Sequence, residues 1–260
     1  MKQTFLTLPR PFVCALLSEK GLGDTIAQVH NADFAGADAV GVDMRGLADE
    51  EKTVDKLSQV MESTVRPILA MQYRCEEGGR LTDEERAEYL LRAARAGASI
   101  VDVMGDLFDP SEREYSRDRA AIRKQKELIE AIHDAGCAVV MSSHMQVSRT
   151  AGEVVDQLKD FEDRGADVVK IVPQVNTEAE MREAFETMMR LRHELTKPYI
   201  YVAGGRFGRH QRAIAPMFGS MLSFGQFPAH CVSPVMFQSP VETLREVHRN
   251  LYAHMDVDMV

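Results

Sequence analysis

The sequence predicts an α/β fold, a TIM (β/α)8 barrel forming one domain over residues 1–260, and three observations predict it. A phrase Gly-Ala/Cys-x-x-Val recurs as Gly36-Ala37-Asp38-Ala39-Val40, Gly97-Ala98-Ser99-Ile100-Val101, Gly136-Cys137-Ala138-Val139-Val140 and Gly165-Ala166-Asp167-Val168-Val169. Glycine behind a helical pattern supplies the left-handed residue that closes a helix, and the β-branched run after it reads as a strand buried on both faces. Eight such runs alternate with helical patterns, the arithmetic of a barrel. The first run is not followed by Gly-x-Gly-x-x-Gly, which weighs against an open doubly wound sheet.

The elements follow in order. Strand 1 is Phe12–Leu17, and strand 2 opens at Gly36 and ends at Asp43. The copies of the phrase lie 61, 39 and 29 residues apart, and the longest gap contains strand 3, Pro67–Gln72. Strands 4, 5 and 6 open behind Gly97, Gly136 and Gly165; strands 7 and 8 are Tyr199–Ala203 and Ser220–Phe224. Residues 82–96 begin Thr82-Asp83-Glu84-Glu85, a capping box, and 117–135, 150–164, 176–195 and 240–251 also read as helices.

With 31 basic and 40 acidic residues, a net charge of −9 and no basic block, the chain excludes a nucleic-acid or anionic-membrane partner and favours a small molecule. Cys14, Cys75, Cys137 and Cys231 form no CxxC pair, so neither a zinc site nor a disulfide framework is expected, and the compartment implied is a reducing cytoplasm. No run approaches the roughly 18 apolar residues of a membrane span, and the N-terminus lacks a signal-peptide pattern.

Lys170 stands inside Val168-Val169-Lys170-Ile171-Val172. Burial disfavours an ammonium by up to about 3–5 pKa units, and a neutral amine near pH 7 attacks carbonyls, which points to Schiff-base chemistry. The plain alternative is a strand-end lysine that snorkels to water. Chemistry in a barrel sits at the C-terminal strand ends, which here offer Asp43, Arg74, Asp102, Met104, His144, Lys170 and Gly204-Gly205-Arg206. His144 and Lys170 come from adjacent strands, and an imidazole serves the proton transfers an imine requires.

Val140-Met141-Ser142-Ser143-His144, followed 26 residues after the histidine by Lys170 in Gly165–Ile171, resembles the type I 3-dehydroquinate dehydratases, as do Arg66-Pro67-Ile68-Leu69…Arg74…Glu77-Gly78-Gly79 and Met217-Phe218-Gly219-Ser220. The resemblance spans residues 12–250. It implies a (β/α)8 barrel, a homodimer, and dehydration of 3-dehydroquinate to 3-dehydroshikimate without metal or organic cofactor. It makes Lys170 the imine-forming amine and His144 the general acid/base, and gives the substrate carboxylate to Arg212, with Arg74 as a second substrate-binding arginine.

The family pattern breaks in three places. Glu-x-Arg-x-Asp after strand 2 is replaced by Gly41-Val42-Asp43-Met44-Arg45, which leaves Asp43 as the acidic substrate contact. The glutamate expected to orient the histidine falls on Met104, with Asp102 and Asp106 as possible substitutes. The lid sequence Ser-Ala-Pro-Gly-Gln becomes Val232-Ser233-Pro234-Val235-Met236, where Ser233 or Gln238 compensates if the loop is offset. Three functions compete: a 3-dehydroquinate dehydratase; a related Schiff-base lyase or aldolase on another carboxylated or phosphorylated ketone, for which Gly204-Gly205-Arg206 would hold phosphate unless it is a plain turn; and a non-catalytic binding barrel.

Overall fold

The chain is described by a computed structural model covering residues 3–74, 81–227 and 238–252. Its elements are β1 (Phe12–Leu17), α1 (Leu22–Phe34), β2 (Ala39–Asp43), α2 (Val54–Glu62), β3 (Ile68–Met71), α3 (Asp83–Arg95), β4 (Ile100–Met104), α4 (Arg119–Asp134), β5 (Ala138–His144), α5 (Ala151–Asp163), β6 (Val168–Val172), α6 (Glu178–Glu194), β7 (Tyr199–Tyr201), α7 (Gly208–Ile214), β8 (Leu222–Gln226), β9 (Ser239–Pro240) and α8 (Val241–Tyr252). The strands pair in parallel in the order β7-β6-β5-β4-β3-β2-β1-β8-β9. Between β7 and β8 the ring is joined by Met221 N–H to the Tyr199 carbonyl (2.9 Å) and Tyr201 N–H to Ser220 Oγ (3.2 Å). The fold is the α/β barrel the sequence predicts.

All four phrase glycines have positive φ, from 77° at Gly36 to 105° at Gly165. At each, the next residue's N–H reaches back to the helix: Ala37 to Ala32, Ala98 to Ala93, Cys137 to Ile132 and Ala166 to Phe161. This is the Schellman closure, which satisfies helix-end carbonyls and turns the chain straight into a strand. Asp38 and Asp167 then accept the Val13 and Val139 amides of the preceding strands. Capping boxes at Thr82/Glu85, Thr150/Glu153 and Thr177/Glu180 start the facing helices.

Strand periodicity sorts the core into two. Cys14, Leu69, Ile100, Val140, Val168, Ile200, Leu222 and Phe224 fill the barrel interior. Val13, Val40, Ile68, Val101, Val139 and Val169 face outward beneath the helices. Phe5 meets Phe12 edge to face at 5.1 Å at the base of that interior.

β8 begins two residues later than expected, because Ser220 and Met221 are engaged in the β7–β8 seam. Three helices to which the sequence reading gave no range are α1, α2 and α7, although Gly36 was read as ending a helix. α1 and α7 have no side-chain N-cap, which removes the start signal.

Candidate active site

Lys170 lies at the centre of β6, 4% exposed, on the inward parity of Val168. Its neighbour in register on β5 is Ser142, and Ser142 in turn pairs with Met104 of β4. The ammonium Nζ donates to Tyr73 Oη (2.8 Å) and Asp102 Oδ2 (3.1 Å), and lies 5.3 Å from the ring centroids of Tyr73 and Phe224. Asp102 is 1% exposed, and its other oxygen accepts Ser142 Oγ at 2.5 Å. The phenol of Tyr73 also donates to Asp102 Oδ2. Snorkelling is thus replaced by a closed interior group of amine, phenol, carboxylate and hydroxyl.

His144 ends β5, and its ring meets the Tyr73 ring edge to face at 4.7 Å. Nδ1 is 2.9 Å from Glu114 Oε2, which also accepts the His144 main-chain N–H at 2.7 Å. A carboxylate at Nδ1 fixes the tautomer that leaves Nε2 for chemistry and stabilises imidazolium when it forms. The possible substitutes for the missing strand-4 glutamate are therefore corrected: Asp102 belongs to Lys170, and Asp106 accepts Arg74 Nη1 and the Ser111 amide. Glu114 comes instead from the long β4–α4 connection, with φ +44°.

That connection is tied down from several sides. Arg164 donates to the Gly105 and Ser116 carbonyls, Gln125 to those of Gly105 and Leu107, and Ser143 Oγ to that of Arg113. Glu114 reaches His144 from a braced loop.

The other expected contacts divide. Arg212, on α7, makes one hydrogen bond, from Nε to the Ala203 carbonyl at the end of β7 (2.7 Å), and has no ion pair among the described residues. Burial pushes its guanidinium down to about 10. A half-buried cation with no carboxylate partner among the described residues suits an anionic ligand.

Arg74 is different. Its Nε and Nη2 clasp Asp83, and its remaining hydrogen bonds among the described residues go to Asp106 Oδ1 and the Asp106 carbonyl. Burial opposes its charge, but Asp83 and Asp106 outweigh burial and raise the guanidinium above its ordinary value. With four of its five N–H groups engaged, Arg74 braces the loop bases, which leaves one N–H for the substrate contact expected of it. Asp43 is similarly closed by Arg45, whose Nη2 sits 2.5 Å from Oδ2.

Gln238 is buried beside β9 with its amide oxygen unpartnered, as is that of Gln226, which continues the inward parity of Leu222 and Phe224. Ser233, with Val232 and Met236, lies outside the described residues. At Gly204-Gly205-Arg206 the amides of Gly204 and Arg206 go to Pro173 O and Asn176 Oδ1, and that of the following Phe207 to Val175 O, so most of the donors a phosphate would need are already engaged in a turn.

Two site residues escaped the sequence reading. Tyr73 follows the inward parity of Leu69 and Met71, a usable signal. Glu114 sits in irregular backbone where no periodicity points to it.

Comparison with known proteins shows the family and the fold. The sequence profile described as type I 3-dehydroquinase matches residues 13–255. A catabolic 3-dehydroquinate dehydratase of Acinetobacter baylyi is 28% identical over 209 residues, 77% of this chain and 70% of that protein. A 3-dehydroquinate dehydratase of Methanosarcina barkeri is 27% identical over 243 residues, 90% and 92% of the two chains. The crystal structure of a Clostridium difficile type I 3-dehydroquinate dehydratase with covalently modified comenic acid superposes with a TM-score of 0.79, covering 98% of both chains at 19% identity.

Proposed function

The chain belongs to the type I 3-dehydroquinase family, and from that premise we propose that it is a carbon–oxygen lyase that dehydrates 3-dehydroquinate to 3-dehydroshikimate through an imine on Lys170. The observation that carries the reading is the placement of Lys170 Nζ, inside the barrel beside Asp102 and Tyr73 and one strand from His144. The chemistry runs from these groups. The amine attacks the C3 ketone, and the iminium draws electrons from the adjacent carbon. His144, held by Glu114, then removes the C2 proton and returns a proton to the departing C1 hydroxyl. Arg212 supplies the guanidinium for the substrate carboxylate. The unpartnered oxygens of Gln226 and Gln238 accept substrate hydroxyls, relieving about 1–3 kcal/mol of unmet desolvation each.

A second keto acid as the true substrate is favoured by one observation, the closure of Asp43 by Arg45 where the resemblance implies substrate-binding polar groups. A phosphorylated ketone is disfavoured by the engaged amides of Gly204 and Arg206. Incubation with 3-dehydroquinate and borohydride is expected to add the reduced ligand's mass at Lys170, with enone absorbance appearing in the unreduced reaction. Trapping without enone would transfer the imine chemistry to another ketone, and no trapping with any keto acid would leave only a binding barrel. The homodimer and the cytoplasmic location remain part of this proposal, the former read by sedimentation equilibrium. No helix among the described residues is long and apolar enough to cross a membrane.

A further inference from the structure

We infer that Tyr73 is a catalytic residue, relaying protons between Lys170 and Asp102 while the imine forms, so that His144 is left to the elimination. The inference rests on the imine reading above. The geometry is directional: Lys170 Nζ donates to Tyr73 Oη at 2.8 Å, and the same hydroxyl donates to Asp102 Oδ2. An N–H···O–H···O chain with a cation at one end and an anion at the other is a proton wire. Shifting both protons by one bond turns ammonium and carboxylate into amine and carboxylic acid, and leaves the phenol neutral.

The balance closes through the whole step. The freed amine adds to the ketone carbon, and one N–H proton moves to the former carbonyl oxygen, giving the carbinolamine. Its hydroxyl leaves as water, taking a proton from Tyr73 Oη while the nitrogen lone pair forms the C=N bond. Asp102 returns its borrowed proton to the phenolate. The iminium keeps one N–H proton, and Asp102 is again a carboxylate opposite a cation. Two of the three ammonium protons have left in the water.

Three features fit this role and not a packing role alone. Burial, with the Asp102 charge behind it, holds the Tyr73 phenol well above its ordinary value, so the hydroxyl stays protonated as the step requires. Ser142 Oγ occupies Asp102 Oδ1, leaving Oδ2 to Tyr73 Oη and to a longer direct contact from Lys170 Nζ at 3.1 Å, so the path through the phenol is the shorter one. The Tyr73 ring also fixes the edge of His144, which keeps the two proton carriers adjacent but on different reacting atoms.

The test separates formation of the imine from its use. Rapid quench with borohydride gives the rate at which Lys170 is trapped, and enone absorbance gives the elimination. Tyr73→Phe is expected to slow trapping about 100-fold or more, the usual scale of a lost general acid/base. His144→Ala is expected to keep trapping and lose the enone. Replacing Tyr73 by 3-fluorotyrosine, which keeps the packing and acidifies the hydroxyl, is expected to shift the pH dependence of trapping in a folded protein. Trapping of Tyr73→Phe at the wild-type rate, or an unchanged profile with 3-fluorotyrosine, would overturn the relay while leaving the lyase reading intact. Failure of the wild-type enzyme to trap would sink both.

Discussion

Lys170 and Asp102 stabilise each other in a site neither tolerates alone. Removing one member of a buried pair typically costs about 3–5 kcal/mol because the other is left charged and unpaired, whereas replacing both is often nearly neutral. Lys170→Met is therefore expected to lower urea stability on that scale, and adding Asp102→Asn to recover most of it. Additive losses would show that the pair carries no coupling. Glu114 acts differently, as a positioning residue for His144. Glu114→Ala is expected to lower kcat about 10–100-fold with KM little changed, and Glu114→Gln, which keeps an acceptor at Nδ1, to lower it less. Equal loss in both variants, or loss only in KM, would remove Glu114 from that role. Lys170 and His144 were legible in the sequence because each breaks the pattern of an apolar strand. The partners were not: Arg74 meets Asp83 nine residues on and Asp106 thirty-two residues on, and no spacing shows which carboxylate an arginine will find.

The strands and most helices were legible because their signals are local. The four repeated glycines, all with positive φ, close the helices before them, and the Thr-x-x-Glu pairs open those that follow, by bonds within a few residues of sequence. Elements lacking a start mark went undelimited, α1 and α7 among them although Gly36 marks the end of α1, and the function of the β4–α4 connection was missed, since its shape is set by contacts from α4, α5 and β5. Gly105 is its tightest point. A Cβ there would meet Phe161 Cζ at 2.3 Å, Phe161 Cε1 at 2.7 Å and the Glu114 carbonyl at 2.8 Å. Phe161 is buried in the helix-facing core and has little room to retreat. Gly105→Ala is thus expected to cost about 1–3 kcal/mol by overpacking and to displace Glu114 from His144. Enone formation should fall while trapping at Lys170 persists, since β6 is untouched. Loss of trapping and elimination in equal proportion would mean that the connection does not govern the histidine alone.

A barrel separates its chemistry at the C-terminal strand ends from the stability of the opposite face, and that division gives a pH test. His248 on α8 lies against β8, its Nε2 3.0 Å from Ser223 Oγ, and Ser223 pairs in register with Val13 near the start of β1. Burial lowers His248 from 6.5 to about 4, with Arg245 lowering it further and Asp38 opposing. Between these values the unfolded chain holds a proton that the folded chain refuses. Unfolding free energy therefore rises with pH across this window: the contribution is complete above about pH 6.5, falls as the medium is acidified, and is gone by about pH 4. The shift sets a ceiling of about 3 kcal/mol, and the solvent that still reaches the ring brings the expected value to about 1–2 kcal/mol. His248→Gln keeps a hydrogen-bonding side chain beside Ser223 and removes the titration. Urea unfolding at pH 5 and pH 7 should show the wild type losing more stability on acidification than the variant, by roughly that amount. The pH profile of kcat should be the same in both, because Lys170, Tyr73 and His144 lie toward the other end of the strands. A variant that loses stability on acidification as steeply as the wild type would mean that His248 titrates normally in the fold. A shifted kcat profile would mean that the two ends of the barrel are coupled.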